Sequence, residues 1–138
     1  MLNQSTAYGA LLLRLSLAAM WWAHGLLKWQ VFTLPGTAAF FESVGLPGAF
    51  AYLVFSAEMI AGALLLIGWH GRLVSLAMLP VLVGASWVHL GNGWGFSNAG
   101  GGWEYPVFLI AASLVHALIG DGAHALRSNA RQPAVAST

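Results

Sequence analysis

The sequence predicts an all-α membrane protein, an antiparallel four-transmembrane-helix bundle with a short interfacial helix between spans 1 and 2. Three observations carry that expectation. Hydrophobic residues make up 59% of the 138-residue chain and charged residues only 7%, against roughly 25% charged in a soluble domain. Four apolar stretches, at about 8–29, 47–69, 73–90 and 104–119, stand out along it, and a helix of about 20 such residues crosses a bilayer. The connections between them are short or punctuated by glycine and proline, which turns each helix back beside the last. One domain over residues 1–125 follows, with a polar C-terminal tail at 126–138.

The opening MLNQSTA lacks the basic start of a cleaved signal peptide, so the first apolar run reads as a retained helix. That run carries Arg14, His24 and Lys28. At about 100° per residue the three fall in one narrow sector of the helix. A charge in hydrocarbon costs about 3 kcal/mol on insertion scales, so this sector should face protein or trapped water. Between Pro35-Gly36 and Pro47-Gly48, the stretch TAAFFESVG reads as an amphipathic interfacial helix, with Thr37 as N-cap and Gly45 as stop. The second span places Glu58 at its midpoint. Ala61 and Gly62 follow three and four residues on and offer a smooth face to another helix. His70-Gly71-Arg72 makes a tight turn into the third span, where Pro80 should free the carbonyl of Leu76 and kink the helix. Residues 91–103, GNGWGFSNAGGGW, hold six glycines and two tryptophans, and read as an irregular lid over one end of the bundle. The fourth span opens with EYP and closes at Gly120-Asp121-Gly122. Arg72, Arg127 and Arg131 lie on the side of both termini, and Arg14 is nearest to it, which makes that side cytoplasmic.

Composition also excludes functions. A net charge of +1 leaves no basic patch for nucleic acid. With no cysteine there is no disulfide, thiolate metal site or iron–sulfur cluster on this chain. No haem, flavin or metal is predicted. His24 and His89 come from different spans, but their heights differ and no HxxxH or Met-rich motif accompanies them.

Antiparallel spans gather Lys28, His24, His89, Glu104 and Glu42 at the outer end, among Trp21, Trp22, Trp29, Trp87, Trp94 and Trp103. Arg14 and Glu58 lie deeper, about 7 Å apart in height and within reach of an ion pair. A polar seam between aromatic walls suits a flat, partly polar ligand entering from lipid, and a quinone fits. His24 and Lys28 would donate to its carbonyls, with Arg14, His89 and Trp103 completing the site. Glu58 or Glu104 would handle protons, and Arg14 would hold or position Glu58. Each feature also has a structural explanation: tryptophans anchor at interfaces, a buried Arg–Glu pair fixes register, and a lysine snorkels to headgroups. His70, His116 and His124 read as satisfied polar groups at the inner end.

Arg14, the run HGLLK (His24, Gly25, Lys28), the run AEMIAGALLLIGWHGR (Glu58, Gly62, Gly68, Arg72), GGGWEYP (Glu104, Pro106) and the closing GDG occur in an order and spacing that resembles the DoxX family of small bacterial four-helix membrane proteins. The resemblance covers about residues 8–125. Asp121 stands where the family commonly has proline. Some relatives resemble the membrane subunit of a thiosulfate:quinone oxidoreductase, so the resemblance implies quinone-linked redox chemistry in the bacterial inner membrane. Electrons would come from a donor that meets the quinone in the site or from another subunit of a membrane redox complex. Two other functions fit the same residues: a non-catalytic accessory subunit packed through the Gly62 face, and a small-solute or metal transporter built around Glu58 and the Pro80 kink, with a pore between copies of a homo-oligomer.

Overall fold

The computed structural model describes residues 3–127, and within them the chain is helical apart from turns and one isolated bridge between Trp69 and Arg127. Helix α1 (Gln4–Leu26) starts four residues before the expected Tyr8, because the Asn3 side chain accepts the Ser5 N–H and caps it. It continues as a π-helical turn over Leu27–Val31. Helix α2 (Leu34–Ser43) also begins earlier than expected. Thr33, not Thr37, is its N-cap and accepts the Gly36 N–H, while Pro35 sits in the first turn. Thr37 is instead buried, with its hydroxyl on the Thr33 carbonyl at 2.8 Å.

Helix α3 (Ala49–Ile67) ends at Gly68, whose φ of 69° places it in the left-handed region. The third apolar stretch is divided into α4 (Gly71–Ala77) and α5 (Leu79–His89), parted at Met78. Pro80, in the first turn of α5, cannot donate to the ladder, and this accounts for the break. After the glycine-rich loop comes α6 (Glu104–Ile119). Gln4–Val31, Ala49–Ile67 and Gly71–Asn92 are long and apolar enough to cross a membrane. The 16 residues of α6 extend about 24 Å.

α1 packs on α3, α2 on α3, and α4 and α5 on α6, with α1 also touching α6. Leu17, Trp21, Leu65, Met78, Leu82 and Leu109 meet in one core. Two glycines set how closely α1 and α3 approach. Gly62 lies under the indole of Trp22, whose Nε1 donates to the Met59 carbonyl at 3.0 Å. Gly25 lies against Met59 and the Cβ side of Glu58. The smooth face around Gly62, expected to receive another helix, is therefore filled by α1 of the same chain.

The first two residues of the expected polar tail, Leu126 and Arg127, are bonded to the rest of the fold. Leu126 and Arg127 donate to the carbonyls of Ile67 and Gly68, Arg127 accepts from the His70 N–H, and Ala123 donates to Ala7. The segment after α6 thus ties the α3–α4 turn to the start of α1. Residues 128–138, with Arg131, lie outside the described residues.

Candidate functional site

Polar side chains are buried at the middle of α3 and at the end of the fold where α3 turns into α4. Near the end of α1, the HGLLK run has a local explanation. Gly25 lets α3 approach at Glu58, and Lys28, three residues on, reaches across to the carboxylate. Lys28 Nζ donates to Glu58 Oε1 at 2.8 Å, with the side chains 17% and 3% exposed. Glu58 Oε2 is buried and has no hydrogen-bond partner among the described residues. Lys28 uses one of its three donors on this pair. His24, one turn before Lys28, donates from Nδ1 to the Met20 carbonyl at 2.9 Å and stacks on Tyr105 of α6, with ring centroids 6.0 Å apart.

Tyr105 opens onto a groove of about 660 Å³ lined mainly by Trp94, Phe96, Glu104, Val107 and Phe108. The loop above it is held by its own hydrogen bonds. Glu104 Oε1 accepts the Phe96 N–H at 2.8 Å, Asn92 donates to Gly101, and Trp94 meets Trp103 edge to face at 4.6 Å. His89 donates from Nδ1 to Ala85 and lies beneath Gly101. Glu42 is exposed and covers Gly48 at the start of α3, where a carboxylate complements the helix N-terminus.

The expected Arg14–Glu58 pair does not form. Arg14, 1% exposed, sits at the opposite end and donates from Nη1 to the carbonyls of Leu65 and Leu66 and from Nη2 to that of Ala123. Leu65 lies seven residues beyond Glu58, about 10 Å along the helix. The last carbonyls of α3 lack a following turn, and the guanidinium satisfies them. Glu58 takes Lys28 as its partner in Arg14's place. The sequence therefore placed Lys28 and Glu58 in separate layers, where the structure joins them.

A second buried group went unrecognised. Ser75 Oγ and His116 Nδ1 lie 2.8 Å apart, and His116 Nε2 lies 3.7 Å from Asp121 Oδ1. All three residues are at most 1% exposed. Gly71 allows this contact, since a side chain there would run into the Asp121 carboxylate. The available signal was the pairing of a turn glycine at 71 with an aspartate between two glycines at 121.

The family profile that matches this sequence is that of DoxX, over residues 9–90, a range that holds Arg14, His24, Lys28 and Glu58. The chain belongs to the DoxX family. A curated relative from Bacillus subtilis (strain 168), described as "Putative oxidoreductase CatD", is 38% identical over 84 residues, or 61% of each chain. The DoxX chain thus spans about three-fifths of that relative's length. No solved structure matches it significantly. Family and apolar helices together make this a multi-pass membrane protein. Within the DoxX match, Lys28 and Glu58 are two polar side chains brought together in the apolar interior.

Proposed function

We propose that this DoxX protein is a quinone-linked subunit of a membrane redox complex, with the quinone held beside Lys28 and Glu58. The observation that carries the reading is the Glu58 carboxylate: almost fully buried, bound to Lys28 through one oxygen, and with the other oxygen unpartnered. A buried polar atom without a partner is costly, about 1–3 kcal/mol, so it calls for a ligand group or a proton. The residues present fit a quinone. Lys28 has two donors left for a carbonyl oxygen, Glu58 can hold or release a proton beside it, and His24 stacked on Tyr105 forms an aromatic wall. A bound quinone would supply the two-electron, two-proton chemistry that the side chains cannot. The naming of the Bacillus relative as an oxidoreductase supports this direction.

The same reading takes α1, α3, α4–α5 and α6 as four spans, α2 as an interfacial helix, and both termini as cytoplasmic in a bacterial inner membrane. Support comes from Arg72 and Arg127 at the end where the segment after α6 meets the start of α1. The test is mass spectrometry of the organic extract from protein purified out of its native membrane, wild type against the Lys28→Met/Glu58→Gln double variant. A quinone near one per chain, lost in the double variant, is expected. Extracts free of quinone in both samples overturn the reading and leave a packing subunit in its place.

A further inference from the structure

We infer that the groove along α6 takes the reduced, hydroxyl-bearing form of a membrane-dissolved aromatic redox carrier in preference to its oxidised form; this rests on the quinone reading above. The groove, about 660 Å³, falls in the ~300–1,000 Å³ range of small-molecule sites. Its walls are aromatic or apolar: Trp94 and Phe96 from the loop, Tyr105 and Phe108 from α6. Phe108 and Ala111 stand one turn apart on α6 and carry the groove down that helix, where an alkyl or isoprenoid chain would lie.

Charge decides which form the groove takes. Glu104 is the one charged lining residue. Its Oε1 receives the Phe96 N–H, and Oε2 makes no hydrogen bond to any described residue. A carboxylate only accepts. Set against a quinone carbonyl, it would oppose two acceptors; set against a hydroquinone O–H, it completes a charge-assisted bond. The Lys28 end differs in offering spare N–H donors beside the free Glu58 oxygen, so it can meet a quinone carbonyl as the groove cannot. Tyr105 joins the two, lining the groove and stacking on His24. An acceptor with no cationic donor beside it among the groove's lining residues thus favours the reduced form there.

The test is anaerobic equilibrium dialysis of the full chain in detergent, with a decyl-substituted benzoquinone and the same compound reduced to its hydroquinone, each quantified by mass spectrometry. Glu104→Gln keeps an oxygen for the Phe96 N–H and replaces the free acceptor with an NH₂ donor, so the loop stays held. Hydroquinone affinity should fall about tenfold in Glu104→Gln, the size of one lost charge-assisted bond, while quinone affinity is unchanged or rises. In Lys28→Met/Glu58→Gln, quinone binding should disappear and hydroquinone binding persist. Unchanged hydroquinone affinity in Glu104→Gln, as a phospholipid chain filling the groove would give, overturns the inference. So does an equal loss of both forms. If quinone binds in a Lys28-dependent way and hydroquinone does not bind, the inference alone fails; if neither form binds the wild type, the quinone reading fails with it.

Discussion

Removing the ammonium from the Lys28–Glu58 pair is the most informative single perturbation. Lys28→Met keeps an unbranched apolar stem of similar reach but leaves the Glu58 carboxylate, 3% exposed, with neither oxygen bonded. Breaking a buried pair from one side costs about 3–5 kcal/mol, since an uncompensated charge remains. Glu58→Gln should cost less, about 1–2 kcal/mol, because Lys28 is 17% exposed and its long stem can carry the ammonium to the interface. The double variant loses both charges and should fall much closer to the wild type than the sum of the singles. The expected coupling is about 2–3 kcal/mol. The assay is reversible unfolding in mixed micelles, titrated with a denaturing detergent and followed by tryptophan emission, on all four corners of the cycle. If the double variant equals the sum of the singles to within about 0.5 kcal/mol, the two groups do not interact in the native protein, and the site built on them is wrong.

Three further outcomes follow from particular contacts. Gly62→Ala pushes a methyl into the Trp22 indole, and should lower stability by about 1–3 kcal/mol; Trp22→Leu in the same chain should restore part of it, and a neutral Gly62→Ala would mean that the two helices do not meet there. Arg14→Lys retains the charge but cannot span the carbonyls of Leu65, Leu66 and Ala123 together. Hydrogen exchange should then quicken at the amides of Ala123, Leu126 and Arg127, and protection equal to wild type would refute the clasp. The chain has no cysteine, so single cysteines report topology directly. One at Asn98 should react with a membrane-impermeant maleimide on intact cells, and one at Arg127 only after permeabilisation; the reverse pattern would invert the proposed orientation.

The helices were legible because apolar runs and the breaks at His70-Gly71 and Pro80 are local signals, whereas the caps at Asn3 and Thr33 were missed because each lies outside the apolar run it starts. Lys28, Glu58 and His24 were legible as candidates because an ionisable side chain in an apolar run is conspicuous. Their pairing was not. Arg14 was assigned to Glu58 because sequence shows side chains and hides backbone acceptors, yet its partners are three carbonyl oxygens that any residue would supply. Gly62 looked like a docking face because a missing side chain does not reveal which neighbour fills the gap. The Ser75–His116–Asp121 line was missed because Asp121 lies beyond the end of α6 and reaches its neighbours only once the chain has folded back.

The position of Arg14's partners also makes α1 dependent on the rest of the chain. α1 and its π-helical extension carry Arg14 and Lys28, and the groups that compensate them all lie later in the chain. Glu58 and the carbonyls of Leu65 and Leu66 arrive with α3; the carbonyl of Ala123 arrives only near the end of the chain. Alone in lipid, α1 would carry the Arg14 charge at about 3 kcal/mol, while the long stem of Lys28 can take its ammonium to the interface. Packing of α1 on α3 supplies the carbonyls of Leu65 and Leu66 and so lowers that cost. A chain truncated before Ala123 would lack one of the three carbonyls that hold Arg14.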